Sequence, residues 1–378
     1  MIVQKPPMGW NSWNTFGQNI NEELILETAD AIVEKGLDKV GYEYVVIDDC
    51  WALKQRDPVT GRLVPDPDKF PHGMKYVSDY IHSKGLKFGM YTCVGVTTCG
   101  GYPGSFGHEF LDAETFADFG VDFLKVDYCA KPSAADGAKL YLKMAMALRA
   151  TGRDIVLSIC NWGRHDVHQW ARSVGGHMYR STVDICDCYS SFVGNALSQE
   201  NNLCYSAPGC FNDLDMLTVG MAGHGHVSTS QYSFKEYRTQ FSLWCLFGSP
   251  LMLGCDIRTV DEETLALIKN ETLIRINQDP DYRAPIKQAA IRMYLEGQPV
   301  YFRMLSDNEY AIGMFNVKDG EGDVAIYFAE LGITPDTGYA FELTDAYTGE
   351  YVGVYDEYFN QLIAPHSSRM YTAKLVKK

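Results

Sequence analysis

The chain has 378 residues, of which 46% are hydrophobic and 21% are charged, as in a folded globular protein. This length favours one large domain with a smaller second one. A formal net charge of −15 argues against nucleic acid and anionic membranes as partners, because both require a basic surface.

Eight segments that predict β-strands alternate with helical patterns from the start of the chain to about residue 280. Several, such as Tyr44–Ile47, are continuously apolar, as expected of parallel strands that are buried on both faces. The predicted strands are Met8–Trp13, Tyr42–Trp51, Lys87–Gly95, Val121–Cys129, Asp154–Trp162, Met178–Asp184, Cys210–Leu217 and Ser249–Asp256.

Amphipathic helices are predicted between these strands. The first begins after Asn21, whose side chain can cap it, and ends near Gly36. Ala138–Ala150 and Gln231–Phe247 repeat the pattern. Eight such β/α units predict an α/β fold, a (β/α)8 TIM barrel over residues 1–280. A doubly wound open sheet is the main alternative, but no glycine-rich phosphate-binding turn follows the first strand.

The pattern changes after Asp279-Pro280. Short alternating segments are separated by turn clusters such as residues 318–322, and no helical period occurs. The segments are Ala289–Leu295, Val300–Met304, Tyr310–Phe315, Val324–Phe328 and Arg369–Leu375. We therefore predict a C-terminal antiparallel β-sandwich domain over residues 281–378.

Polar and aromatic side chains cluster at the ends of the predicted strands, where a barrel places its reacting groups. They are Trp10, Trp13, Asp48, Asp49, Tyr91, Lys125, Asp127, Asn161, Arg180, Asp184, Asp213 and Asp215. A metal site is one interpretation, but no histidine lies near them at ligand spacing. Carboxylates that bind hydroxyl groups and aromatic rings that pack on a sugar face indicate a carbohydrate site. Two of the carboxylates could then act as nucleophile and as general acid/base in glycoside hydrolysis.

Five motifs, taken in order along the chain, look like those of family 27 glycoside hydrolases, the α-galactosidases and α-N-acetylgalactosaminidases. They are Met8–Trp13, Ile47–Trp51, Phe70–Gly73, Leu124–Cys129 and Asn212–Met216, and the resemblance continues through Ile276–Pro280. The C-terminal β-sandwich of that family agrees with the prediction made from the strand pattern.

The resemblance implies a role for each matching residue. Asp127 would be the nucleophile and Asp184 the acid/base. Lys125 would hydrogen-bond the sugar and keep Asp127 ionised, while Asp48 and Asp49 would bind its 4- and 6-hydroxyl groups. Other residues assigned to the sugar pocket are Trp13, Tyr91, Cys99, Cys129, Arg180, Asp215 and Met216. Cys99 and Cys129 also match positions that form a disulfide in the family, and neither a metal nor a cofactor is implied.

Asn161 departs from the family pattern. Members that cleave plain galactosides have Glu in this position, which faces the 2-substituent of the sugar, and N-acetylgalactosaminidases have small residues nearby. Asn161 is polar enough for a hydroxyl group and too large for an acetamide, unless the neighbouring Gly163 supplies room. We therefore expect galactose to be preferred.

The leading hypothesis is a retaining exo-acting α-galactosidase that acts on an oligosaccharide or glycan and needs no cofactor. The alternatives are an α-N-acetylgalactosaminidase and a non-catalytic galactoside-binding protein. An isomerase or aldolase that uses Lys125 fits the aromatic residues less well. The N-terminal segment lacks the apolar core of a secretory signal and no membrane span is predicted, so we expect a cytoplasmic location. The family often forms dimers or tetramers, and the sequence leaves a homo-oligomer open.

Overall fold

The computed structural model describes residues 2–229, 233–289 and 298–378. In the first part of the chain, eight parallel strands form one curled sheet in the order β7-β6-β5-β4-β3-β2-β1-β8. The strands are β1 (Met8–Asn11), β2 (Tyr44–Val46), β3 (Lys87–Cys93), β4 (Phe123–Asp127), β5 (Val156–Cys160), β6 (Met178–Arg180), β7 (Phe211–Asp213) and β8 (Leu251–Leu253).

The segment after β7 closes this sheet onto β8. The Leu217 N–H donates to the Met252 carbonyl at 2.8 Å, and Leu217 forms a parallel bridge with Leu253. Helices cover the outside of the sheet, and a cluster of apolar side chains fills its inside. The predicted (β/α)8 barrel is therefore confirmed.

The helices lie between and after the strands, as the apolar periodicity predicts. They are α1 (Trp13–Phe16), α2 (Glu22–Glu34), α3 (Gly73–Ser83), α4 (Glu109–Phe119), α5 (Gly137–Ala150), α6 (Val167–Trp170), α7 (Tyr189–Ser198), α8 (Phe234–Phe247), α9 (Glu262–Ile268) and α10 (Glu271–Asn277). The Asn21 side chain accepts a hydrogen bond from the Leu24 N–H, which confirms the predicted cap of α2. The predicted start of α8 at Gln231 lies outside the described residues.

Each barrel strand ends before its predicted last residue, and five of the eight also begin later than predicted. For example, β1 ends at Asn11, and Trp13 already begins α1. Because side chains alternate along a strand, Trp10 and Asn11 face opposite sides of the sheet. Trp10 is fully buried and its Nε1–H donates to the Cys255 carbonyl, so the prediction that Trp10 contributes to the site is wrong.

The C-terminal part of the chain forms antiparallel sheets, as predicted. A six-stranded sheet has the order β14-β13-β16-β11-β10-β9, and β12 pairs with β15. These strands are β9 (Ile286–Lys287), β10 (Val300–Met304), β11 (Glu309–Asn316), β12 (Gly322–Tyr327), β13 (Tyr339–Asp345), β14 (Tyr351–Tyr355), β15 (Tyr358–Ile363) and β16 (Ser367–Lys377). Side chains of both sheets share one apolar cluster, which makes this part a β-sandwich. The predicted segment Ala289–Leu295 falls outside the described residues from 290 onward.

The sandwich contacts the barrel at α7, through Tyr189, and along α8, through Glu236. His366 stacks on the ring of Tyr189 at 3.9 Å between centroids, and its Nδ1 lies 2.8 Å from Oε1 of Glu236. On the inner side of α8, the Trp244 Nε1–H donates to the Asp215 carbonyl at 2.7 Å. Helix α8 therefore connects the sandwich to the predicted site. In the part of the chain that the structure describes, no helix has the length and apolar character needed to span a bilayer.

Candidate active site

Asp127 lies at the carboxyl end of β4, where alternation turns it to the same side as Lys125. It is 6% exposed. Its Oδ2 accepts a hydrogen bond from the Tyr91 hydroxyl at 3.0 Å, and its Oδ1 accepts one from the Tyr128 N–H at 2.8 Å. These two contacts fix the orientation of the carboxyl group.

Lys125 forms a buried ion pair with Asp48, in which Nζ lies 2.8 Å from Oδ2. The same carboxylate oxygen accepts a hydrogen bond from Nδ2 of Asn11 at 2.7 Å. The neighbouring Asp49 accepts hydrogen bonds from the backbone N–H groups of Cys50 and Gly100, at 2.7 and 2.8 Å. Both carboxylates are 2% exposed, and burial raises the pKa of Asp49.

Burial dominates the electrostatics of Asp127. It raises the pKa of this carboxyl to about 6, although the Lys125 charge acts in the opposite direction. Lys125 therefore favours the ionised form of Asp127, as expected, but burial outweighs it and the pKa of this carboxyl stays above its ordinary value. Burial also works against the charged form of Lys125, but Asp48 and Asp127 outweigh it and raise the lysine pKa.

A second group of charges forms around Arg180, at the end of β6. Its Nη2 lies 2.6 Å from Oδ2 of Asp215 and 2.8 Å from Oδ1 of Asp184. Asp215 is nearly buried, and burial raises its pKa to about 6 against the opposing charge of Arg180. Asp184 is 77% exposed. This group therefore presents one carboxyl group to solvent and holds the other inside the barrel.

One small cavity in the barrel is lined by Lys125 of the first group and by Arg180 and Asp215 of the second, but Asp127 and Asp184 are not among its lining residues. Its lining includes Asn11, Lys125, Cys160, Arg180, Asp215 and Met216. Met216 follows Asp215 and its N–H donates to Oδ1 of that residue at 2.8 Å. The half-buried ring of Trp13 packs edge-on against His226 at 5.1 Å.

Asn11 is a residue that sequence reasoning missed. It lies within the first predicted strand, and a polar residue there is visible in the sequence as a break in the apolar run. Its hydrogen bond to Asp48 shows that it orients the carboxylate which pairs with Lys125.

Asn161 lies just after β5 and is fully buried. Its Nδ2 donates to the Arg164 carbonyl at 2.7 Å, which closes the turn that follows β5. Its Oδ1 has no hydrogen-bond partner among the described residues. Gly163 has a φ of 75°, and a Cβ added there would lie 2.3 Å from the Ser181 carbonyl oxygen. This glycine is therefore required for a close backbone contact and leaves no free space.

Cys99 and Cys129 form a disulfide, with Cα atoms 5.4 Å apart. This confirms the prediction that the two residues lie close enough to bridge. The disulfide joins the loop after β3 to the segment that follows β4, and the Cys99 Sγ lies 3.7 Å from Oδ2 of Asp127.

Comparison with known proteins gives a consistent result over both parts of the chain. Residues 5–279 match the family model described as alpha galactosidase A, and residues 296–373 match the alpha galactosidase C-terminal beta sandwich domain. An α-galactosidase of Cyamopsis tetragonoloba is 41% identical over 337 residues, which cover 89% of this chain and 78% of the relative. Alpha-galactosidase 2 of Arabidopsis thaliana is 40% identical over 374 residues, 98% of this chain and 90% of the relative. The crystal structure of α-galactosidase I from Mortierella vinacea superimposes with a TM-score of 0.89 at 30% identity, covering 98% of this chain and 97% of that one.

Proposed function

This chain belongs to the α-galactosidase A family of glycoside hydrolases, and we propose on that premise that it removes terminal α-D-galactosyl residues with retention of configuration. The substrate class is an α-galactoside oligosaccharide or glycan. The cytoplasmic location and the absence of a metal or cofactor stay predictions.

In the proposed first step, an oxygen of Asp127 attacks the anomeric carbon of the galactosyl residue. The bond to the leaving group breaks, and Asp184 donates its proton to the departing oxygen. In the second step, Asp184 takes a proton from water, and that water displaces Asp127 from the anomeric carbon. Two inversions leave the product with the configuration of the substrate.

The buried position of Asp127 carries this proposal. The carboxyl group is fixed by hydrogen bonds from Tyr91 and Tyr128 and lies in a low-dielectric environment. Such fixation is what a nucleophile requires, because its geometry is set before substrate binds. Asp184 suits the other role, because it is exposed to solvent and is oriented by Arg180.

We propose that the pair of Asp48 and Asp49 binds the 4- and 6-hydroxyl groups. Each carboxylate already accepts hydrogen bonds from the protein, and each retains lone pairs for a sugar hydroxyl. Asn11 and Lys125 hold Asp48 from one side, so its free lone pairs have a defined direction.

Two measurements test the mechanism. Proton NMR should detect the α-anomer as the first-formed galactose, and a β-anomer would refute retention. Asp184→Ala should lower kcat/KM far more for an alkyl α-galactoside than for 4-nitrophenyl α-galactoside, whose leaving group needs little protonation. Asp154→Ala is the matched control, since this exposed carboxyl precedes β5 at the opposite end of the barrel. Equal losses for both substrates in the Asp184 variant would exclude it as the general acid.

A further inference from the structure

The Cys99–Cys129 disulfide and Asp127 place three donor groups at one point. In the described ranges, these three residues are the one group of at least three Cys, His, Asp or Glu side chains whose ligand atoms all lie within 4.8 Å of one another. Cys99 is exposed and Cys129 is half-buried, so a small thiol in solution can reach the disulfide.

We propose that reduction of this disulfide creates a site for a thiophilic divalent cation, such as Zn²⁺ or Cd²⁺, with Cys99, Cys129 and Asp127 as ligands. Two thiolates and a carboxylate form a ligand set that such cations prefer, and a fourth position stays open for water. While the disulfide is intact, its sulfur atoms are not thiolates and this ligand set does not exist.

A dithiol can reduce the Cys99–Cys129 disulfide. The Cys99–Cys129 bond breaks and accepts two electrons and two protons, and the dithiol becomes a cyclic disulfide. When the cation binds, each of the two protein thiols releases its proton to solvent, and the sulfur lone pairs form the metal bonds.

The surroundings favour a cation at this point. Asp48 and Asp49 are both buried near Asp127, and Lys125 supplies one positive charge against the three carboxyl groups. The neighbouring Cys93 is not a further ligand, because its thiol donates to the Cys129 carbonyl at 3.0 Å. That contact holds the backbone of Cys129 in place after the disulfide is broken.

Occupation of the site would block the first step of hydrolysis, and this consequence rests on the proposed role of Asp127. A lone pair that is bound to a cation is not available to attack the anomeric carbon. Inhibition by the cation should therefore require the reduced protein, and galactose should compete with it.

The test compares the oxidised protein with protein that has been reduced with dithiothreitol and desalted under nitrogen. Each is titrated with Cd²⁺, while the ultraviolet thiolate-to-cadmium charge-transfer band and the hydrolysis of 4-nitrophenyl α-galactoside are recorded. In the reduced protein we expect one equivalent of Cd²⁺ to produce the band, and half-inhibition at a Cd²⁺ concentration at least about tenfold lower than in the oxidised protein. Added galactose should weaken Cd²⁺ binding.

Three kinds of variant separate the explanations. Cys129→Ser should lose the band, whereas Cys186→Ser and Cys204→Ser, which alter exposed cysteines elsewhere, should keep it. Asp127→Asn should keep both thiolates but bind Cd²⁺ more weakly. The inference is overturned if the reduced protein shows no band, or if the band survives in Cys129→Ser. A band without inhibition of an active enzyme would support the cation site and refute the proposed role of Asp127 as the nucleophile. A band in a protein without galactosidase activity would refute the proposed function alone.

Discussion

Arg180 and Asp215 form an ion pair in which both side chains are almost completely buried, 3% and 7% exposed, with Nη2 and Oδ2 2.6 Å apart. The same nitrogen contacts the exposed Asp184. One end of the contact is thus fixed inside the barrel while the other faces solvent. Because Arg180 is held by its buried contact with Asp215, it restricts the orientation of the Asp184 carboxyl group, which we propose as the acid/base.

Arg180→Met should destabilise the protein, because it leaves Asp215 as a buried carboxylate without its cation. We expect the free energy of unfolding to fall by about 3–5 kcal/mol at pH 7.5. The loss should be smaller at pH 4.5, where a proton neutralises Asp215, whose pKa is raised to about 6 even with Arg180 present. Urea denaturation at the two pH values measures both effects. Arg258→Met is the control, because it breaks a more exposed pair with Asp256, and its cost should be about 1 kcal/mol.

Asp127→Asn should stabilise the protein while it abolishes hydrolysis. An unfolded Asp has a pKa near 3.9, and burial raises that of Asp127 to about 6. The ionised carboxyl therefore costs stability, and the cost is absent below about pH 4 and complete above about pH 6. We expect the variant to be more stable than the parent by up to about 3 kcal/mol at pH 7.5 and equal to it at pH 3.5. Thermal denaturation of the variant and the parent between pH 3.5 and pH 7.5 measures this difference in stability. Glu321→Gln, which alters an exposed carboxyl group, is the control. A gain that does not change with pH would contradict the assignment.

Lys125→Met should shift the acidic limb of the kcat/KM profile. In the parent we expect this limb near pH 6, where Asp127 loses its proton. Removing the lysine deletes the main charge that lowers the pKa of Asp127, so burial and the nearby Asp48, which both raise this pKa, act unopposed by it. The acidic limb should therefore move to higher pH. Weaker sugar binding should in addition lower kcat/KM at every pH, and this loss does not move the limb. An unchanged limb would show that another group controls it.

The barrel could be predicted because its strands are continuously apolar and its helices carry one apolar face, which leaves few other folds. The residues at which the strands end could not be predicted, because the flanking polar residues that form the site look like continuations of each strand. The sandwich strands β13, β14 and β15 were not predicted, and β14 was missed for a different reason. It lies at a sheet edge, and its side chains do not alternate between buried and exposed, so it has no period of two to recognise.

The candidate site was predictable in its residue types but not in its pairings. Sequence reasoning grouped Lys125 with Asp127, whereas the structure gives its ion pair to Asp48. The difference depends on the distance between β2 and β4 across the barrel, and the local spacing of residues contains no information about it. The same limit applies to Asn161, whose burial follows from the turn that its amide closes.

The last prediction concerns the sugar. Asn161 is fully buried and Gly163 is in contact with Ser181, so neither residue offers space for a 2-acetamido group. We expect 4-nitrophenyl α-galactoside to be hydrolysed at least about tenfold faster than the corresponding N-acetylgalactosaminide, because an unaccommodated group costs more than about 1.4 kcal/mol. The β-L-arabinopyranoside lacks the 6-hydroxyl group and should lose the charge-assisted hydrogen bond to the Asp48 and Asp49 pair. That bond contributes about 1.5–3 kcal/mol, or roughly 10- to 150-fold in kcat/KM. Values of kcat/KM for the three substrates, measured side by side, show which sugar the protein prefers. If the N-acetylgalactosaminide is the fastest, the turn formed by Asn161 and Gly163 must open when the sugar binds.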